Sequence, residues 1–214
     1  SEGKNLFPLI VNIKNYEKVD SIIQKFKPDV IYHAAAYKHV PILEDKNNYK
    51  EALENNFFAT CNLVDAAIKN NVEKFIFIST DKAVRPTNIM GSSKRMAELY
   101  IQTKSSDSKK TIFSSVRFGN VMNSSGSVIP IFRRQIKNGG PVTVTHPEII
   151  RYFMTIGEAA YLVIISSIIS SSSQVYMLKM GDPVKILEIA KKMIRLSGNV
   201  IKDEKNKEGI EINF

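Results

Sequence analysis

Apolar residues fall into short continuous runs, separated by longer stretches with helical periodicity. This is the pattern of buried parallel strands alternating with amphipathic helices. Leu9-Ile10-Val11-Asn12-Ile13 reads as a short strand and Tyr16 to Phe26 as a helix stopped by Pro28. Val30 to Ala36 predicts a buried strand running into a small-residue turn. Asn48 to Asn70 predicts one long amphipathic helix, and Lys74 to Ser79 a further apolar strand. Asn88 is placed to cap a helix ending near Thr103, followed by a polar surface loop, Lys104 to Lys110, and a strand, Thr111 to Arg117. Then come a helix over Ser127 to Lys137 ended by Gly139-Gly140, a short strand from Pro141 to Thr145 and a helix from Thr155 to Ser170. A strand at Val175 to Met180, a helix at Ile186 to Ser197 and a charged, mobile tail at Lys202 to Lys207 complete the pattern. The alternation predicts an α/β fold with a parallel sheet covered on both faces.

Composition adds a sign but no partner. Thirty basic against 21 acidic residues leave a net charge of +9, which suits an anionic partner or a lysine-rich solvated surface. The basic residues are dispersed without interleaved aromatics, so no nucleic-acid site is expected. The single cysteine, Cys61, lies in a helical pattern and reads as an inert thiol, so no disulfide framework is expected. No signal peptide is read, and the longest apolar run, Ala159 to Ile169, is broken by Ser166 and Ser167 and too short to span a bilayer. His33, His39 and His146 lack metal-ligand spacing, so no metal is expected.

In open parallel sheets ligands gather beyond the carboxyl ends of the strands. Four segments hold such positions here: Ala34-Ala35-Ala36, Ser79-Thr80-Asp81-Lys82, Phe118-Gly119-Asn120 and Asp182-Pro183. Small side chains in the first let a ligand approach the backbone. Thr80, Asp81 and Lys82 bring a hydroxyl, an acid and an amine to one strand end, either for proton transfer or as a turn with a solvated ion pair. Met90 and Lys94 are four apart and share a helix face; alone, they read as core filler and an exposed amine.

These segments together resemble the extended short-chain dehydrogenase/reductase family. More narrowly, they resemble its CapD-like polysaccharide-biosynthesis branch of UDP-N-acetylglucosamine 4,6-dehydratases. The likeness rests on DVIYHAAAYKHVPILE (29–44), FIFISTDKAVRPTNIMGSSKRMAE (75–98), SSVRFGNVMNSSGSVIPIFRRQI (114–136), GGPVTVTHPEIIRYFMT (139–155) and MGDPVKILEIAKKMIRLSG (180–198). It implies a Rossmann-type doubly wound sheet lacking its first two strands, with a small substrate lobe. Residues 1–126 would form a partial NAD(P)-binding core with the catalytic residues. Residues 127–214 would form a nucleotide-sugar-binding part, interleaved with that core.

The resemblance also implies roles. Lys82 would be the base at sugar C5 and Asp81 the acid at the C6 hydroxyl, with Thr80 a relay. Met90 stands where the wider family has a catalytic tyrosine, and Lys94 is retained to hold the nicotinamide ribose. Lys94 is also a candidate neighbour to keep Lys82 uncharged. The position of Asn12, together with Ala34, Ala35, Ala36, Lys38, Ser79, Phe118 and Val121, would line NAD or NADP. His39, Asn120, Ser127, Val128, Thr145 and Arg151 would meet the UDP-sugar, with Arg151 on the diphosphate. A structural ion pair for Arg151 and a turn-stabilising role for Asn120 are the alternatives. A homo-oligomer in the cytoplasm is implied, touching membrane only through a segment outside this chain.

Two departures from the family stand out. None of the ten glycines forms G-x-x-G-x-x-G after a strand, so the chain reads as beginning just before the third strand of the fold. The Leu9–Ile13 strand would then move beside Val30–Ala35, stay loose or pair with another chain, and the isolated polypeptide would bind NAD(P) poorly. Asn12 also replaces the usual aspartate at the adenine. An inactive member of the family, a basic binding module and a related UDP-sugar epimerase are the competing readings; Met90 counts against the last.

Overall fold

The computed structural model describes residues 6–124 and 126–214. The chain divides into two compact units: one takes the described residues up to Arg117 and Ser166–Met177, the other Phe118–Ile165 and Leu178–Phe214.

The first unit is built on a four-stranded sheet of β1 (Val30–His33), β2 (Lys74–Thr80), β3 (Ile112–Phe118) and β8 (Gln174–Met177), in the order β1-β2-β3-β8. Strands β1 and β2 run parallel with Val30 opposite Lys74 and His33 opposite Phe77, and β3 runs parallel to β8. Helix α1 (Tyr16–Phe26) starts where the Asn15 side chain accepts from the Lys18 N–H, and ends at left-handed Lys27 just before Pro28. A short α2 (Val40–Leu43) follows β1. Then α3 (Tyr49–Leu53), a π-helical turn (Glu54–Phe58) and α4 (Ala59–Lys69) run on without a break. Helix α5 (Ile89–Asp107) is capped by Asn88, whose Oδ1 accepts from the Gly91 N–H at 2.8 Å. Phe75, Phe77 and Phe113 of the strands pack with Val19 and Ile23 of α1, Val64 and Ala67 of α4, and Ala97 and Ile101 of α5. Burying a phenylalanine of this kind contributes about 1.5–3 kcal/mol each, so this cluster anchors the unit.

The second unit uses short pieces: β4 (Asn120–Val121), α6 (Val128–Lys137), β5 (Val142–Thr143), β6 (Ile150–Arg151) and β7 (Phe153–Met154) come first. The chain returns to the first unit through α7 (Ile156–Ile169); β9 (Val184–Lys185), α8 (Ile186–Leu196) and β10 (Ile212–Asn213) complete the second. Three two-stranded pairings hold it: β4 with β7, β6 with β9, and β5 with β10. Phe132 and Ile136 of α6 meet Ala190 and Ile194 of α8 over Val142, Phe153 and Ile210. Among the described residues no helix is long and apolar enough to cross a membrane.

Sequence expectations are corrected or refined at four places. Leu9–Ile13 forms no strand: Asn15 N–H closes a turn on the Asn12 carbonyl, the Asn12 side chain accepts from Lys14 N–H, and Leu9 and Ile10 stay exposed. A strand needs a ladder partner, and this segment has none among the described residues. The 48–70 helix carries a π turn at its centre, where Asn56 is wholly buried and hydrogen-bonded outside the helix. The expected loop over 104–110 is helical to Asp107, with the Ser105 and Ser106 hydroxyls turned back onto the carbonyls of Gln102 and Thr103. The tail from Lys202 to Lys207 forms a turn, with Asp203 accepting from the N–H groups of Lys205 and Asn206.

Candidate functional site

The exit of β2 carries the densest chemistry. A one-turn 3₁₀ helix (Asp81–Ala83) follows the strand, and the Thr80 hydroxyl accepts from the Lys82 N–H at its start. The same hydroxyl donates to Asp81 Oδ1 at 3.0 Å, and Lys82 Nζ donates to that oxygen at 3.0 Å. Asp81 and Lys82 keep 40% and 33% of their side-chain surface, so the pair is reachable from outside. The turn presses on the first turn of α5: a Cβ on Gly91 would stand 2.5 Å from the Lys82 carbonyl oxygen. Only glycine admits this approach.

Behind the turn lies a second, buried group. Lys94 is 5% exposed, with Nζ 3.9 Å from the centre of the Phe77 ring. It forms no ion pair among the described residues, because Glu98, one turn on, is held by Arg95 and Arg117. Burial therefore pulls the Lys94 ammonium down to about 7, against a smaller opposing pull from Glu98. His33, at the end of β1, hydrogen-bonds Thr60 at 2.8 Å; burial first, and Lys94 second, push it down to about 3.

Met90 is 6% exposed and packs with Leu43 and Ala52, so the position four before Lys94 offers a thioether and no exchangeable proton. Ala34 and Ala35 are exposed just past β1 and Ala36 is half-buried. Lys38 and His39 follow on the surface, His39 as the residue before α2 with no side-chain cap bond. Asn56 fastens this loop: its side chain accepts from Tyr37 N–H at 2.7 Å, donates to Tyr37 C=O at 2.9 Å and donates to Ser93 Oγ at 3.1 Å. Ser79 is buried, with its hydroxyl donated to Glu98 at 2.6 Å. Asn12 is exposed, its side chain engaged with the Lys14 N–H.

The other candidates, Phe118 at the end of β3 among them, belong to the second unit. Asn120 pairs through its backbone with Phe153, leaving its buried Oδ1 without a hydrogen-bond partner among the described residues. Ser127 precedes α6 as its N-cap residue, yet its hydroxyl makes no cap bond and is also buried and unpartnered. Orphaned buried acceptors and hydroxyls each cost about 1–3 kcal/mol, so two in one unit point to a missing polar partner. Val121 lies on β4 and Val128 opens α6, both half-buried, and Thr145 is exposed. Arg151 is exposed on β6, its guanidinium bonded to the Ile150 carbonyl, and no ion pair engages it among the described residues.

Glu98, Arg117, Asn56 and Gly91 were not singled out from sequence. The available signal was the Lys94/Glu98 spacing, which puts a carboxylate on the face of an essential-looking amine.

The family model described as "Polysaccharide biosynthesis protein" matches residues 2–214. The chain belongs to this family. It is 50% identical over 207 residues to the capsular polysaccharide biosynthesis protein CapD of Staphylococcus aureus, covering 97% of this chain and 33% of that protein. It is 40% identical over 157 residues to a UDP-glucose 4-epimerase of Rickettsia canadensis, covering 72% of this chain and 45% of that one. Among solved structures, Pen from Bacillus thuringiensis superposes with a TM-score of 0.87 at 37% identity, over 99% of this chain and 63% of Pen. The chain thus spans from a third to just under two thirds of these relatives' lengths. The doubly wound α/β fold agrees with the sequence expectation.

Proposed function

We propose that this family member carries the catalytic residues of a nucleotide-sugar 4,6-dehydratase. Its substrate is UDP-N-acetylglucosamine and its product UDP-4-keto-6-deoxy-N-acetylhexosamine, made in the cytoplasm for bacterial polysaccharide. One observation carries the reading: a carboxylate and an amine, 3.0 Å apart, sit on the turn leaving β2, beside a helix with methionine in place of tyrosine.

NAD or NADP fits the residues at these strand ends. Exposed Ala34 and Ala35 leave the backbone open to a dinucleotide, Lys38 adds a cation, and the Lys94 ammonium is free to donate to a ribose. When bound, the nicotinamide supplies a hydride acceptor for C4 and a hydride donor for C6.

Asp81 and Lys82 form an ion pair. The reaction calls for the amine and the carboxylic acid, which requires the ammonium proton to pass to the carboxylate when substrate excludes water, since low dielectric penalises separated charges. At the 4-ketone stage the C5 proton is acidic, since its loss gives an enolate. The Lys82 amine takes that proton while the Asp81 acid protonates the departing C6 oxygen. The C5–H and C6–O bonds break, one water leaves, and the ion pair is restored. As C6 is reduced, the Lys82 ammonium returns a proton to C5, and the proton lost from the C4 hydroxyl closes the balance. Asn120, Ser127 and Arg151 offer unspent polar groups for the UDP-sugar.

The rival is a 4-epimerase, supported by the name of the Rickettsia relative. Met90 opposes it, having no proton to exchange with a C4 hydroxyl. Incubating the intact protein with UDP-N-acetylglucosamine and NAD(P) separates the two by mass spectrometry. Loss of one water supports the dehydratase, a product of unchanged mass with inverted C4 supports the epimerase, and cofactor binding without turnover marks an inactive member.

A further inference from the structure

Among the described residues of the first unit Glu98 is the most deeply buried carboxylate, at 0% exposure, and the reaction above gives it no task. Four donors surround it. Ser79 Oγ donates at 2.6 Å and Arg117 Nε at 2.7 Å to one oxygen; the second oxygen takes a further Arg117 nitrogen and Arg95 at 3.1 Å. These donors come from the end of β2, the end of β3 and α5 itself. Ser79 is next to Thr80, which starts the turn bearing Asp81 and Lys82. Lys94 lies one helical turn before Glu98, on the same face. A carboxylate held this way acts as a bracket between the two parts of the site.

We infer that Glu98 is a positioning residue: it ties the exit of β2 to the turn of α5 that carries Lys94, and so fixes the Asp81–Lys82 pair relative to that lysine. The bracket has a mechanical arm and an electrostatic one. The arm through Ser79 acts on the Asp81–Lys82 turn. The charge acts on Lys94, which among the described residues also faces the titratable His33 on β1. Around Glu98 itself the charged groups are Arg95 and Lys94 of α5 and Arg117 of β3. A solvated surface carboxylate would have neither effect, and a purely structural one would be replaceable by any residue that keeps the fold.

The inference names a role within the proposed dehydratase site but is tested without turnover. In the intact protein carrying 13C-labelled lysines, the Lys82 and Lys94 signals are assigned by their loss in Lys82→Arg and Lys94→Arg. Glu98→Gln removes charge and most of the bracket. It should shift the Lys82 signal and move the Lys94 titration midpoint to lower pH. Ser79→Ala removes one arm and keeps the charge. It should shift the Lys82 signal and leave the Lys94 midpoint at its wild-type value. If Glu98→Gln does not fold, Ser79→Ala alone decides through the Lys82 signal. An unchanged Lys82 signal in the folded variants overturns the bracket, as does a Lys94 midpoint indifferent to Glu98→Gln. Wild-type protein that binds cofactor but releases no water from the sugar would refute the dehydratase reading and leave these lysine signals fully informative.

Discussion

Replacing Gly91 by alanine isolates the geometry of the Asp81–Lys82 turn from its chemistry. The added methyl would lie 2.5 Å from the Lys82 carbonyl oxygen and 3.1 Å from its carbon, and ordinary contact begins at 3.4 Å, so helix and turn must separate by about 0.9 Å. The obstacle is backbone, which cannot swing aside as a side-chain tip can. Gly91 lies in the first turn of α5 at an ordinary helical φ, so alanine gains up to about 1 kcal/mol of helix propensity. Overpacking costs about 1–3 kcal/mol. The two nearly offset, and the fold should lose no more than about 2 kcal/mol. Catalysis has no such compensation: displacing reacting groups by about 1 Å costs about 100-fold in rate. Gly91→Ala should therefore lower kcat for water loss about 100-fold, with KM for the sugar nucleotide changed less than about threefold. Stopped assays by mass spectrometry and urea unfolding measure the two quantities. A Gly91→Ala protein with wild-type kcat would show that the close contact of helix and turn does not set the rate, as would one whose activity falls only in step with its folded fraction.

Lys94 sets a pH signature. Its folded value of about 7 lies below the 10.5 of an exposed lysine, so the unfolded chain binds more protons between these limits and stability rises with pH across that window. Lys94→Met should flatten this rise and stabilise the protein below pH 7 by a few kcal/mol, measured by urea unfolding. Asn56→Leu leaves the Tyr37 N–H and C=O unpaired and should cost about 2–4 kcal/mol by the same method. Cys61, half-buried and pushed up to about 12 by burial and Asp65, should react with iodoacetamide at pH 8 at least about 100-fold more slowly than free glutathione.

Local chemistry made some elements legible from sequence and left others hidden. Helix α1 falls on Tyr16–Phe26 as read, because Asn15 and Pro28 act within a few residues of its ends. Asn88 caps α5 for the same reason, while the serines that prolong that helix read equally well as loop. Leu9–Ile13 has the composition of a strand, but a strand exists only with a neighbour to bond, and apolar pattern carries no information on neighbours. The two-residue pairings of β4 with β7 and β6 with β9 are equally non-local. At the site, the Thr80–Asp81–Lys82 cluster was visible because its members are adjacent. The Glu98 bracket joins residues 79, 95, 98 and 117, and nothing in one sequence ties Arg117 to Glu98. Burial likewise divided the two lysines in a way their letters do not: the Lys82 side chain keeps 33% of its surface and Lys94 is 5% exposed.

The most direct test of the acid–amine pair follows a single hydrogen. The intact protein is incubated in deuterated water with UDP-N-acetylglucosamine and NAD(P), and deuterium at sugar C5 is read by NMR for wild type and Lys82→Met. Solvent deuterium is expected at C5 of a dehydrated product in the wild type. Lys82→Met should bind cofactor within about threefold of wild type, with neither water loss nor exchange at C5. Wild-type exchange at C5 in Lys82→Met would rule out Lys82 as the C5 base.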